Sequence, residues 1–254
     1  MHPLLQPLFY YLWIAPHVLL AAILLLIARR KLRRQFPMLF LYTAFEIVQF
    51  GVLFTLWLRY GHFGPEYNRL FAGGTAVSSA LRFGVIYEVF GQLFADYPAL
   101  TETGKTLFRG VTIVLLLAGV GLAIFMPGKS ISLLMLAAKT LDRTVSLLQC
   151  GLLLSLFIFS RHFALSMRSH AFGIALGLGT YASVQLATSA VLLYVGRATN
   201  PLPNLIIMGA YHCCILIWIY YLAIPERTAL RVLHPLPQHN LDIWNQELEH
   251  LLQR

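Results

Sequence analysis

The sequence predicts an all-α integral membrane protein, a bundle of seven transmembrane helices with its N-terminus outside and its C-terminus in the cytoplasm. Hydrophobic residues make up 58% of the 254 residues and charged residues 11%, against about 45–50% and about 25% in a soluble domain. The mean hydropathy is +0.71, and the apolar residues form stretches of membrane-spanning length. These observations exclude a soluble globular domain, a disordered chain and a disulfide-rich secreted module.

The seven spans are defined by length and by the polar breaks between them. A helix needs about 20 apolar residues to cross a hydrocarbon core of about 30 Å. Proline, glycine and charged residues interrupt the apolar stretches, for example at 29–37, 61–65 and 200–203. The predicted spans are 8–28, 38–58, 70–95, 110–126, 131–159, 171–195 and 204–224.

The distribution of positive charge predicts the orientation. With the N-terminus outside, the cytoplasmic segments hold twelve Lys and Arg residues and the outside segments hold four, as the positive-inside rule requires. The densest basic run follows the first span and is expected to contact the membrane surface or a partner protein; it consists of Arg29, Arg30, Lys31, Arg33 and Arg34. The net charge of +9 is therefore attributed to loops beside anionic lipid, and no nucleic-acid partner is expected.

The chain is predicted to form one transmembrane domain, 1–224, followed by a cytoplasmic tail, 225–254. The first span has no basic region before it, so it is expected to be a retained helix and not a cleaved signal peptide. Within the tail, leucines and Trp244 recur at helical spacing, which predicts a short amphipathic helix over 240–252. This helix is expected to contact the inner membrane surface or a partner protein, since its polar face is acidic.

Small residues in spans three and six predict close contacts between helices, because small side chains let helix backbones approach in lipid. They are Gly73, Gly74, Ser78, Ser79, Gly173, Gly177 and Gly179. The three cysteines fall within spans and have no zinc-binding spacing.

Six ionisable residues within the spans are the main candidates for a functional site, because charge at membrane depth is costly. They are Glu46, Arg82, Glu88, Lys139, Asp142 and Arg143. Lys139, Asp142 and Arg143 are spaced i, i+3 and i+4, so Asp142 is expected to pair with Lys139, which leaves Arg143 for Glu46 or Glu88. Two interpretations remain open: the charges hold the helices in register, or they line a wet cavity for a polar ligand or a proton path.

Two histidines form a second candidate site. His17 in the first span and His212 in the last lie at similar predicted depths, and the first and last helices are neighbours when seven spans close into a ring. Facing imidazoles can ligate a b-type haem or a metal; the alternative is that each forms a hydrogen bond with a neighbouring helix. His170, between two spans, is expected at the surface.

The predicted topology resembles the layout of seven-helix receptors, microbial rhodopsins and the membrane sensor modules of bacterial kinases. A retinal cofactor is not expected, because 204–224 contains no lysine for the chromophore. No hydrolase, zinc-protease or phosphate-loop motif is present, so an enzyme is not expected. Three hypotheses remain: a sensor that binds a small ligand between helices and signals through a separate cytoplasmic partner, a transporter or haem-binding redox subunit, and a non-catalytic subunit of a larger membrane complex.

Overall fold

The computed structural model describes residues 5–60, 64–93, 106, 110, 138, 140–151, 154, 168–195 and 202–224. The described part of the chain is helical, and five of its helices are long and apolar enough to cross a membrane. These are α1 (Gln6–Arg29), α2 (Pro37–Tyr60), α3 (Pro65–Leu93), α4 (His170–Val195) and α5 (Leu202–Ala223), with a short 3-10 helix at Leu32–Arg34 between α1 and α2.

The five long helices coincide with predicted spans one, two, three, six and seven, so these spans are confirmed as helices. Of span five, residues 138, 140–151 and 154 are described, and they are helical. Span four beyond residue 110, and the tail with its predicted amphipathic helix and Trp244, lie outside the described residues.

Proline and backbone conformation set several helix boundaries. A proline lies in the first turn of α1, and Pro37 and Pro65 are the first residues of α2 and α3, where the missing N–H has no helical partner to lose. After α1, Lys31 adopts a left-handed conformation with φ of 58°. Such a residue stops a helix and turns the chain, so the basic run lies in a tight turn between α1 and α2.

The helices form a closed ring. Along it, α1 packs against α2, α2 against α3, α3 against α4, α4 against α5, and α5 against α1. The first and last helices are therefore neighbours, as the sequence predicted. The helical segment 140–151 contacts α3 through Arg82 and α4 through Gln185.

Hydrogen bonds show which helix ends lie together. Arg30, just after α1, donates to the carbonyl of Ala223 at the end of α5. Glu88, near the end of α3, accepts hydrogen bonds from the backbone of Met38 at the start of α2. His170, at the start of α4, lies 3.2 Å from the carbonyl oxygen of Ile224. We call this end of the bundle the basic end.

The expectation that His170 lies at the surface is wrong. Its side chain is buried, because it is the first residue of α4 and sits against the end of α5. Its hydrogen bond to Ile224 occupies a carbonyl that has no partner within α5, as is usual for the last turn of a helix.

The bundle carries apolar side chains on its outside. Val18, Leu25, Val48 and Leu58 are each more than 60% exposed, as expected for side chains that face lipid. Inward-facing residues of α1 recur at helical spacing at Leu20, Ile23 and Ile27. They join one hydrophobic core with residues of the other four helices.

Two of the predicted small residues allow the closest contact, which is between α4 and α5. The indole of Trp218 is fully buried and donates to the carbonyl of Ile174 at 3.1 Å. A Cβ at Gly177 would lie 2.6 Å from the indole nitrogen and 3.1 Å from the backbone oxygen of Cys214. Gly173 likewise faces the ring of Tyr221. The small residues therefore position a large aromatic side chain at this interface.

In α3, the prediction about small residues holds only in part. A Cβ at Gly74 would overlap the side chain of Gln49, whereas one at Gly73 would have no neighbour within 4 Å. Ser78 and Ser79 are buried, but they use their hydroxyl groups to bind charged residues. Their role belongs to the candidate site.

Candidate functional site

A buried ion pair lies at the centre of the candidate site. Arg82 of α3 pairs with Asp142 of the 140–151 segment, and their side chains are only 6% and 15% exposed. Ser79 lies one helical turn before Arg82 and donates to Oδ1 of Asp142 at 3.3 Å. The amide of Gln185 in α4 donates to Oδ2. Both carboxylate oxygens of Asp142 therefore have donors, as a buried charge requires.

A second carboxylate lies nearby. Glu46 of α2 accepts a hydrogen bond from Ser78, the neighbour of Ser79 in α3. It lies close enough to interact electrostatically with Arg82 and Asp142. The set of interacting side chains, which we call the polar cluster, joins α2, α3, α4 and the 140–151 segment and consists of Glu46, Ser78, Ser79, Arg82, Asp142, Ser146 and Gln185.

An aromatic side chain borders the polar cluster. The guanidinium carbon of Arg82 lies 5.8 Å from the ring centre of Tyr181 in α4, within the range of a cation–π interaction. Tyr181 in turn contacts Tyr211 of α5, with ring centres 5.5 Å apart. The ion pair is thus connected to α5 through aromatic packing.

Several buried polar atoms beside the polar cluster lack hydrogen-bond partners within the described part of the chain. They are Nε of Arg82, Oε1 of Gln49 and both amide atoms of Gln149. Gln49 lies one turn after Glu46, and Gln149 lies two turns after Asp142, so both share helix faces with the cluster. Each such atom costs about 1–3 kcal/mol if nothing else binds it.

The six predicted charged residues do not form one site. Glu46, Arg82 and Asp142 come together, but Glu88 lies at the basic end, where its two oxygens accept the backbone N–H groups of Met38 and Leu39 at 3.0 and 3.1 Å. The expected pairing of Arg143 with Glu46 or Glu88 is wrong. Arg143 is exposed, and neither carboxylate pairs with it. Lys139, the expected partner of Asp142, lies outside the described residues.

The two histidines have separate surroundings. Nδ1 of His17 lies 2.9 Å from the carbonyl oxygen of Trp13, and its ring stacks on Phe50 with centres 3.8 Å apart. His212 contacts Tyr11, with Nε2 3.5 Å from the hydroxyl oxygen. Within the described residues, no group of three His, Cys, Asp or Glu side chains could hold a metal. Haem ligation by His17 and His212 stays a prediction.

The basic run forms an exposed turn at the basic end. All five side chains are exposed, and we call Arg29, Arg30, Lys31, Arg33 and Arg34 the basic turn. The guanidinium carbon of Arg33 lies 4.8 Å from the ring centre of Phe40 in α2. The side chain of Gln35, just after the turn, bonds to Gln92 of α3 at 3.2 Å.

No family model, no curated protein and no solved structure matches the chain. The function proposed below therefore depends on the geometry of the described residues.

Sequence reasoning did not identify the serines of the polar cluster as hydrogen-bond donors to its carboxylates. Ser78 and Ser79 lie four and three positions before Arg82 in α3, the spacings at which side chains on a helix are neighbours. That spacing is the signal that could have identified the serines as hydrogen-bond donors. From the sequence these serines were assigned to helix packing instead, because serine in a membrane helix also serves as a small packing residue.

Proposed function

We propose that this protein is a seven-helix membrane sensor, or a receptor-like protein, in which the polar cluster binds a small polar ligand between helices. A separate protein at the cytoplasmic face receives the signal. The observation that carries the proposal is a set of buried atoms without partners in the described part of the chain, on Arg82 of the ion pair and on Gln49 and Gln149, which share helix faces with the polar cluster. A ligand with hydrogen-bonding groups would supply the missing partners.

The count of seven helices is supported by the directions of the described elements. Leu93 ends α3 and His170 begins α4, and both lie at the basic end. Asp142 contacts Gln185, whereas Cys150, later in its segment, contacts Ser183, earlier in α4. The 140–151 segment therefore runs antiparallel to α4, toward the basic end. The proposed fourth span would connect the end of α3 at the basic end to the start of this segment at the opposite end.

Reporter fusions test this count. In the seven-helix arrangement Gly61 and Gly128 lie outside, so alkaline phosphatase fused after either residue should be active. Fusions after Tyr97 and after His162 should be inactive. Activity of the Tyr97 fusion, or inactivity of the Gly128 fusion, would contradict the seven-helix arrangement.

The location of the polar cluster suits it to transmit a signal. Its members lie on α2, α3, α4 and the 140–151 segment, so a ligand that changes their spacing changes the relative positions of these elements. The ends of α3 and α4 meet other helices at the basic end. A partner bound at this end would therefore detect the change, provided that the ligand binds one arrangement better than the other.

The proposal is tested with the full-length protein in lipid nanodiscs. Thermal unfolding is measured with a panel of small carboxylates, amines and polyols, for wild type and for Gln149→Met. A compound that binds the polar cluster should raise the Tm of wild type but not that of the variant, while Gly73→Ala, which has no neighbour at its Cβ, should respond like wild type. If no compound acts on wild type and Gln149→Met is more stable, the amide is a packing defect and the proposal fails.

A second candidate function is a subunit of a larger membrane complex. It is favoured by Arg143, whose charged side chain is exposed within a predicted span, because a charge facing lipid is costly unless a partner covers it. A photoreactive residue at position 143, compared with one at Leu147, which is 61% exposed, tests this candidate in native membranes. Cross-linking to another protein from position 143 but not from 147 would support it.

A further inference from the structure

The basic turn lies at the boundary between an apolar surface and the end of the bundle. Leu25, one turn before Arg29 in α1, is 61% exposed, and Leu41, one turn after the start of α2, is 50% exposed. Since a helical turn rises about 5.4 Å, exposed apolar side chains begin about one turn before the basic turn in α1 and about one turn into α2. In a bilayer whose hydrocarbon covers these apolar side chains, the charges would lie at the level of the lipid phosphates.

The shape of the basic turn is fixed by contacts that do not use most of its charges. Lys31 reverses the chain, and Leu32–Arg34 continues as a 3-10 helix. The side-chain amide of Gln92 donates to the backbone oxygen of Gln35 at 2.6 Å, and Glu88 holds the first turn of α2. The turn is thus preorganised, and its side chains remain exposed.

The charge of this surface is not neutralised by the described acidic residues. The structure describes four of them, Glu46, Glu66, Glu88 and Asp142, and Glu88 is the one near the basic turn. Its oxygens accept backbone N–H groups of α2 instead of pairing with a basic side chain. Among the residues that the structure describes, no carboxylate pairs with the five positive charges of the basic turn.

We propose that the basic turn binds the phosphate groups of anionic phospholipids in the leaflet at the basic end. Clusters of four to eight Lys and Arg residues beside a membrane helix attract anionic headgroups, with about 1 kcal/mol for each basic residue. Arginine also donates two parallel hydrogen bonds to a phosphate. The guanidinium of Arg33 lies over the ring of Phe40. In this position Arg33 contacts an aromatic ring at the interface and can also reach a lipid headgroup.

The test compares two variants that each remove two exposed charges. Lys31→Gln/Arg34→Gln changes the basic turn but not the side chains that contact Ala223 or Phe40. The matched control, Arg59→Gln/Arg69→Gln, changes exposed residues at the opposite end of α2 and α3. Native mass spectrometry of full-length protein from nanodiscs of phosphatidylcholine with phosphatidylglycerol measures retained lipid.

Wild type should retain phosphatidylglycerol over phosphatidylcholine, and the preference should decrease with added salt. At about fivefold for each charge, the affinity of the basic-turn variant should fall about 25-fold, while the control keeps the wild-type preference. Equal retention by both variants, or an equal loss in both, would overturn the proposal. Loss of a co-purifying protein instead of lipid would also overturn it, since the surface would then bind a protein. Circular dichroism confirms that both variants are folded.

Discussion

Arg82 and Asp142 are 60 positions apart in the chain and form a buried ion pair that joins α3 to the 140–151 segment. Serine and glutamine donors from two helices complete the shell of the carboxylate. Because each partner has its charge balanced by the other, removal of one leaves an unpaired buried charge.

This pair predicts strong coupling between two substitutions. Arg82→Met and Asp142→Leu should each lower the free energy of unfolding by about 3–5 kcal/mol. The double variant should be more stable than the sum of the single losses implies, because it leaves no uncompensated charge. Unfolding in mixed detergent micelles measures the cycle. Additive losses would show that the two residues stabilise the bundle independently.

The contact between Gly177 and Trp218 predicts a packing defect that is specific to one glycine. Gly177→Ala should lower the free energy of unfolding by about 1–3 kcal/mol, because the new methyl group overlaps the indole and a backbone oxygen. Gly73→Ala is the matched control, since its methyl group has no neighbour within 4 Å. It should be neutral or stabilising by up to about 1 kcal/mol. Equal effects of the two substitutions would contradict the α4–α5 contact.

The two hydrogen bonds of Glu88 predict that this residue stabilises the start of α2. Glu88→Ala leaves the N–H groups of Met38 and Leu39 without their acceptor and should destabilise the protein by about 1–2 kcal/mol, as loss of a helix cap does. Glu66→Ala removes an exposed carboxylate in α3 and should change stability by less than about 0.5 kcal/mol. Hydrogen exchange should localise the loss to the first turn of α2; protection there equal to wild type would refute this role.

Exposure of Arg143 predicts that its charge does not stabilise the isolated bundle. Arg143→Leu should leave the free energy of unfolding unchanged or raise it, since the side chain faces outward in the folded state and the substitution removes a charge from an apolar surface. Arg82→Leu, measured in the same micelles, should have a much larger effect. A large loss of stability in Arg143→Leu would mean that this residue has a partner within the protein.

Hydropathy predicted where the helices lie, because burial in lipid is a property of each segment by itself. It did not predict which charges meet, since that depends on the rotation of each helix about its axis. Asp142 and Arg143 are separated by about 100° around the helix, so one faces the interior and the other faces outward. For this reason the equal numbers of positive and negative residues within the spans, three of each, did not predict which of them form ion pairs.

The ends of helices were predicted less well than their middles. Glu88 was predicted to lie in a span, nearer the cytoplasm than the other charges, with Arg143 as a possible partner, but it binds the free N–H groups at the start of α2. His170 was assigned to a surface loop, but it begins α4 and packs beneath α5. Both cases depend on helix ends from distant parts of the sequence, which local patterns do not reveal.

Closure of the ring by α1 and α5 has a consequence for biosynthesis. The face of α1 that carries Leu20, Ile23 and Ile27 joins a core completed by residues of α5, the last helix of the described chain. At a translation rate of about 5–20 residues per second, α5 would be synthesised on the order of tens of seconds after α1. During this interval lipid covers the part of α1 where α5 will pack, and a nascent chain halted before Leu202 would lack the helix that completes this core.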